Sequence, residues 1–64
     1  MRVTRRERDV LVLLLCGKTN KQIAEALNIS GYTARDHVSS LLHKIGVKTR
    51  AALIAQYLEK KKSR

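Results

Sequence analysis

Two helical patterns in this chain are separated by almost nothing, and that junction restricts the fold more than any other feature. The segment Gln22-Ile23-Ala24-Glu25-Ala26-Leu27-Asn28-Ile29-Ser30 closes a short helix and opens a longer one. The short helix opens with Thr19-Asn20-Lys21-Gln22. That string has the form of a capping box, in which two side chains satisfy two otherwise orphaned backbone N–H groups. Ile23, Ala24 and Leu27 then share one face. Asn28 tolerates a turn conformation and ends the helix. The long helix takes Ser30 as its N-cap. Its apolar residues Ala34, Val38, Leu41, Leu42 and Ile45 recur at the period of one helix face, and Gly46 ends it. The opposite stripe holds Tyr32, Arg35, Asp36, Ser39 and His43. Ala24 is small enough to let the two helices approach, and Ile29 can plug the gap between them.

Helical segments flank this pair on both sides. Thr4-Arg5-Arg6-Glu7 is a second capping box, followed by the apolar run Val10–Cys16 and then Gly17. Periodicity alone leaves that run open to a buried strand, because it is apolar all round. The box before it and the glycine after it favour a helix. The spacing predicts a fourth helix from Thr49 toward Lys60, with residues 60–64 as a frayed, solvated tail. Ala51, Leu53, Ile54, Ala55, Tyr57 and Leu58 spread around much of that cylinder. The excess is either a broad core face or a contact with a second copy, in which Ala51, Ala55 and Leu58 are the candidate positions. Without proline, linker or repeat, the expectation is one all-α, four-helix domain over residues 1–64.

A chain of 64 residues supports only a modest core. The lone cysteine forbids an internal disulfide, and one cysteine with two distant histidines gives no zinc framework, so neither metal nor cofactor is expected. A helical core, with a partner, must suffice. Cys16 itself reads as a small buried hydrophobe, since free cysteine is usually buried. Cys16, His37 and His43 form no catalytic motif, and the sequence has no phosphate-binding glycine loop. An enzyme is not expected. Fourteen basic residues against five acidic ones give a formal net charge of +9, two thirds of it in residues 33–64. Such a surface attracts polyanions, and nucleic acid is the commonest for a helical module. The bland alternative is a solubilising surface. No stretch approaches the ~18–20 apolar residues of a membrane span. Glu7 and Asp9 interrupt the basic start that a signal peptide would need, so the cytoplasm is the expected location.

A short helix tightly joined to a longer one with a polar outer stripe is the pattern of a helix-turn-helix, whose second helix enters the major groove of DNA. Four blocks carry a closer resemblance. They are Val3–Leu11, Thr19–Ala24, Ile29–Val38 and Lys44–Arg50, and together they cover nearly the whole chain. In order and spacing the chain resembles the LuxR/NarL/GerE-type DNA-binding domain of bacterial transcription regulators. The resemblance implies four helices, with the third reading bases and the fourth supporting dimerisation. It implies base contacts by Arg35, with Asp36 and Ser39 on neighbouring groove-facing positions; Tyr32, on the same stripe, joins them. It implies phosphate contacts by Thr33 and His37, and by Asn20, Lys21 and Lys44. Glu7 and Arg50 match positions that hold the domain together. The implied partners are double-stranded DNA and a second copy, with RNA polymerase as a further candidate.

The chemistry of Arg35 agrees with its implied role. Arginine can donate two parallel hydrogen bonds to guanine, worth about 1–3 kcal/mol of discrimination. Ala34 stands where the family usually has valine, which lightens the packing under the third helix. Asp36 puts a negative charge beside DNA. It can accept from cytosine N4, pair with a neighbouring cation, or repel phosphate. Gly31 lowers helix propensity in the first turn by about 1 kcal/mol, and leaves room for a close backbone approach. The chain reads either as a complete small regulator or as an excised output domain. The rival function is a protein-interaction module, an anti-activator that uses the fourth helix but not Arg35. A peripheral membrane binder would need more aromatic residues than Tyr32 and Tyr57.

Overall fold

The computed structural model describes residues 3–62. It contains four helices: α1 (Arg5–Leu15), α2 (Asn20–Leu27), α3 (Gly31–Ile45) and α4 (Arg50–Lys62). Each start is set by a hydroxyl that accepts from a backbone N–H. Thr4 Oγ1 accepts from Glu7 N at 3.1 Å while Glu7 Oε1 accepts from Thr4 N at 3.0 Å. Thr19 and Gln22 exchange the same two bonds at 3.1 and 2.9 Å. Ser30 Oγ accepts from Thr33 N at 3.0 Å, and Thr49 Oγ1 accepts from Ala52 N at 3.0 Å. Both capping boxes and the Ser30 cap stand as read from the sequence.

The ends are equally specific. Asn28 takes φ 57° and ψ 48°, the left-handed region. There its own N–H reaches Glu25 O, and Ile29 N reaches Ala24 O at 3.0 Å. These bonds satisfy carbonyls that the end of α2 would otherwise leave bare. The chain turns from α2 to α3 within three residues because of this reversal. Gly46, at φ 89°, ends α3 in the same way, with Val47 N bonded to Leu42 O.

One core joins the helices. Val10 and Leu14 from α1, Ile23 and Ala24 from α2, Ala34, Val38 and Leu41 from α3, and Leu53 from α4 are buried. Leu27, Ile29, Leu42 and Ile45 pack against this cluster while partly exposed. The face predicted for α3 is therefore the face it buries. Ala24 lies at the α2 contact, where a larger side chain would hold the helices apart.

Two expectations need revision, and one open alternative is narrowed. Cys16 is exposed, not buried. It caps the end of α1 two residues past Leu14, and the core face of that helix is the Val10–Leu14 line. An offset of two residues places it on the far side. Val12, also off that line, is 54 % exposed. Of the two alternatives for α4, the broad core face is not formed among the described residues: Leu53 is buried there, Ile54 is half-buried, and Ala51, Ala55, Tyr57 and Leu58 are exposed. Finally, α4 continues to Lys62, into the stretch 60–64 read as a tail; residues 63–64 lie outside the described ones.

Candidate nucleic-acid interface

The two faces of α3 define the site. At about 100° per residue, burying Ala34, Val38 and Leu41 turns positions 32, 35, 36, 39 and 43 outward. Tyr32 is 73 % exposed, and Arg35, Asp36, Ser39 and His43 are exposed with it. These residues share one stripe on the helix that α2 holds in place. Asp36 makes no ion pair among the described residues, so pairing with a neighbouring cation does not account for it. Gly31 opens α3, and a Cβ there would meet open space.

Thr33, His37, Ser40 and Lys44 form a second line along one flank of α3. Thr33 and His37 are half-buried. The Ser30 hydroxyl donates to Thr33 Oγ1 at 2.9 Å, so the Thr33 hydroxyl hydrogen is left to donate elsewhere. Ser40 and Lys44 turn inward to Glu7. Glu7 as a residue is only 5 % exposed. Its Oε1 accepts from Lys44 Nζ at 2.9 Å, and its Oε2 accepts from Ser40 Oγ at 3.0 Å. The Lys44 hydrogen bond is the largest influence holding the Glu7 carboxyl at about 2, well below its usual range. The Thr4 backbone N–H and Ser40 add to it, and partial burial opposes it. Each carboxylate oxygen has a donor, so the charge is tolerated in a small core.

Asn20 and Lys21 stand at the start of α2, where Lys21 is exposed and Asn20 is half-buried. Arg50 reaches this region from α4. Its Nη2 donates to Asn20 Oδ1 at 2.7 Å and its Nη1 to Lys18 O at 2.9 Å. Ala51, Ala55 and Leu58 lie exposed on α4, each about one turn after the one before. They stand outside the core and apart from the stripe on α3 in sequence. Sequence reasoning missed Ser40. The available signal was its spacing of four residues from Lys44, which puts both on one side of α3, together with the free second oxygen of the capping-box glutamate. Glu7 and Arg50 tie helices together, as the resemblance implies.

No helix among the described residues is long and apolar enough to cross a membrane. No group of three or more His, Cys, Asp or Glu side chains there is arranged to hold a metal ion.

A four-helix, all-α domain with this α2–α3 pair and an outward polar stripe defines a helix-turn-helix domain. Residues 1–56 match the GerE family, described as bacterial regulatory proteins, luxR family, and the chain belongs to that family. It is 46 % identical over 57 residues to the transcriptional regulatory protein MctR of Rhizobium johnstonii, covering 89 % of this chain and 27 % of that protein. It is 54 % identical over 55 residues to the transcriptional regulatory protein YhcZ of Bacillus subtilis, covering 83 % of this chain and 26 % of YhcZ. The spore germination protein GerE of Bacillus subtilis is 45 % identical over 56 residues, covering 88 % of this chain and 76 % of GerE. The chain thus spans about a quarter of the length of MctR and YhcZ, and about three quarters of GerE.

Proposed function

We propose that this chain is the sequence-specific, double-stranded DNA-binding domain of a bacterial transcription regulator, and acts by binding rather than by catalysis. In this reading α3 lies in the major groove. Arg35 donates to a guanine edge, and Asp36, Ser39 and Tyr32 contact neighbouring base edges. Asn20, Lys21, Thr33 and His37 contact phosphates. Lys44 joins them with the ammonium hydrogens that Glu7 does not use. Two copies pair through Ala51, Ala55 and Leu58 of α4, at least on DNA.

The observation that carries the reading is the exposed stripe Tyr32–Arg35–Asp36–Ser39 on the helix whose opposite face packs against α2 and the core. Base readout needs side chains on a fixed backbone, and the Asn28 turn and Ala24 contact supply one. The formal charge of +9 supplies the sequence-independent attraction. A titration of affinity for a DNA duplex against salt tests it. The expected slope of log affinity on log salt is about −0.9 per phosphate neutralised. A flat response contradicts the proposal.

A further inference from the structure

We infer that Arg50 is a positioning residue for DNA binding, because it fixes which end of the Asn20 carboxamide is offered to a phosphate. The inference rests on the DNA-binding reading above and goes beyond it. Asn20 can present either a carbonyl oxygen or an amino group outward. A phosphate accepts hydrogen bonds and does not donate them. Only the amino-outward state therefore attracts a phosphate, and the flipped state turns oxygen lone pairs on it.

Arg50 selects the attractive state. A guanidinium only donates, so the Asn20 atom 2.7 Å from Arg50 Nη2 must be the oxygen. The amino group then occupies the other branch of the planar carboxamide, turned away from Arg50. None of the hydrogen bonds among the described residues uses that amino group. The second arm of the guanidinium donates to Lys18 O at 2.9 Å. Two attachments from one rigid plane keep the fork from swinging, which a lysine ammonium at this position would not reproduce. The pairing spans 30 residues of sequence and joins the first residue of α4 to the first residue of α2.

A double-mutant cycle on the full chain tests this. Wild type, Asn20→Ala, Arg50→Lys and the double variant are titrated by fluorescence anisotropy against a short mixed-sequence DNA duplex, with thermal unfolding recorded for each. Asn20→Ala is expected to weaken binding about three- to tenfold, the worth of one hydrogen bond. Its salt slope should not change, because a neutral side chain releases no counterion. Arg50→Lys should weaken binding severalfold in the wild-type background and not at all in the Asn20→Ala background. An equal loss in both backgrounds overturns the inference, since Arg50 would then act on the fold at large or on DNA directly. Asn20→Asp keeps an acceptor for Arg50 and so keeps the fold, but has no donor. Its binding must fall, and wild-type affinity from that variant overturns the inference even if Arg50→Lys unfolds. Should the wild-type chain bind no duplex, the DNA-binding reading fails and takes this inference with it. Binding without coupling between the two positions removes this inference alone.

Discussion

Lys44 Nζ lies 2.9 Å from Glu7 Oε1, so the last turn of α3 is fastened to the first turn of α1. The same glutamate caps α1 and receives Ser40, so one carboxylate serves two helices. Its ionisation should therefore be felt in stability. The Glu7 carboxyl sits at about 2 in the folded chain against an ordinary 4.5. A depressed folded value means that the stabilisation is complete above 4.5 and is lost as pH falls from 4.5 toward 2. Urea unfolding across that window should show wild type losing stability faster than Glu7→Gln, which has no proton to take up. Parallel pH profiles for the two proteins would show that the pair is energetically silent.

The core makes a sharper demand. Leu41 is fully buried on α3, against residues from the other helices. Leu41→Ala should lower unfolding free energy by about 2–5 kcal/mol, through lost burial and a residual cavity. That is a large share of what so small a domain has, so partial unfolding at room temperature is expected. Val12→Ser, on the exposed side of α1, should stay within about 0.5 kcal/mol of wild type. Chemical denaturation followed by helical circular dichroism measures both. Similar losses at the two sites would mean that the buried and exposed faces are misassigned.

On α4 the expectation concerns association rather than folding. Leu58 is 58 % exposed, so its substitution removes little from the core. Leu58→Asp should leave the thermal unfolding midpoint nearly unchanged. It should weaken pairing of copies on a two-site DNA duplex, seen by sedimentation as loss of the two-copy complex. Unchanged sedimentation would place the dimer contact elsewhere.

What the sequence made legible follows from how far each interaction reaches. The helix starts at Thr4, Thr19 and Ser30, and the ends at Asn28 and Gly46, depend on residues three to five apart and were readable. The buried face of α3 followed from periodicity, because Ala34, Val38 and Leu41 repeat on one side. Residue type alone makes Cys16 a buried hydrophobe, but its place beside the Val10–Leu14 line decides its exposure. The partners that Glu7 and Arg50 find on other helices and loops lie 30 or more residues away, and depend on which helix faces meet. No local pattern states that. The apolar surplus of α4 was ambiguous in sequence for the same reason, until packing showed Leu53 inward and Ala55 and Leu58 outward.

In the proposed function, exposed side chains of α3, with Arg35 foremost, choose the DNA sequence. Selection of bound duplexes from a random pool, run in parallel with wild type and Arg35→Ala, tests it most directly. Wild type should return a defined site. Arg35→Ala should keep salt-dependent binding but lose preference at one base pair per half-site, worth about 1–3 kcal/mol. The same site, recovered from both proteins with equal stringency, would contradict the assignment of base readout to Arg35.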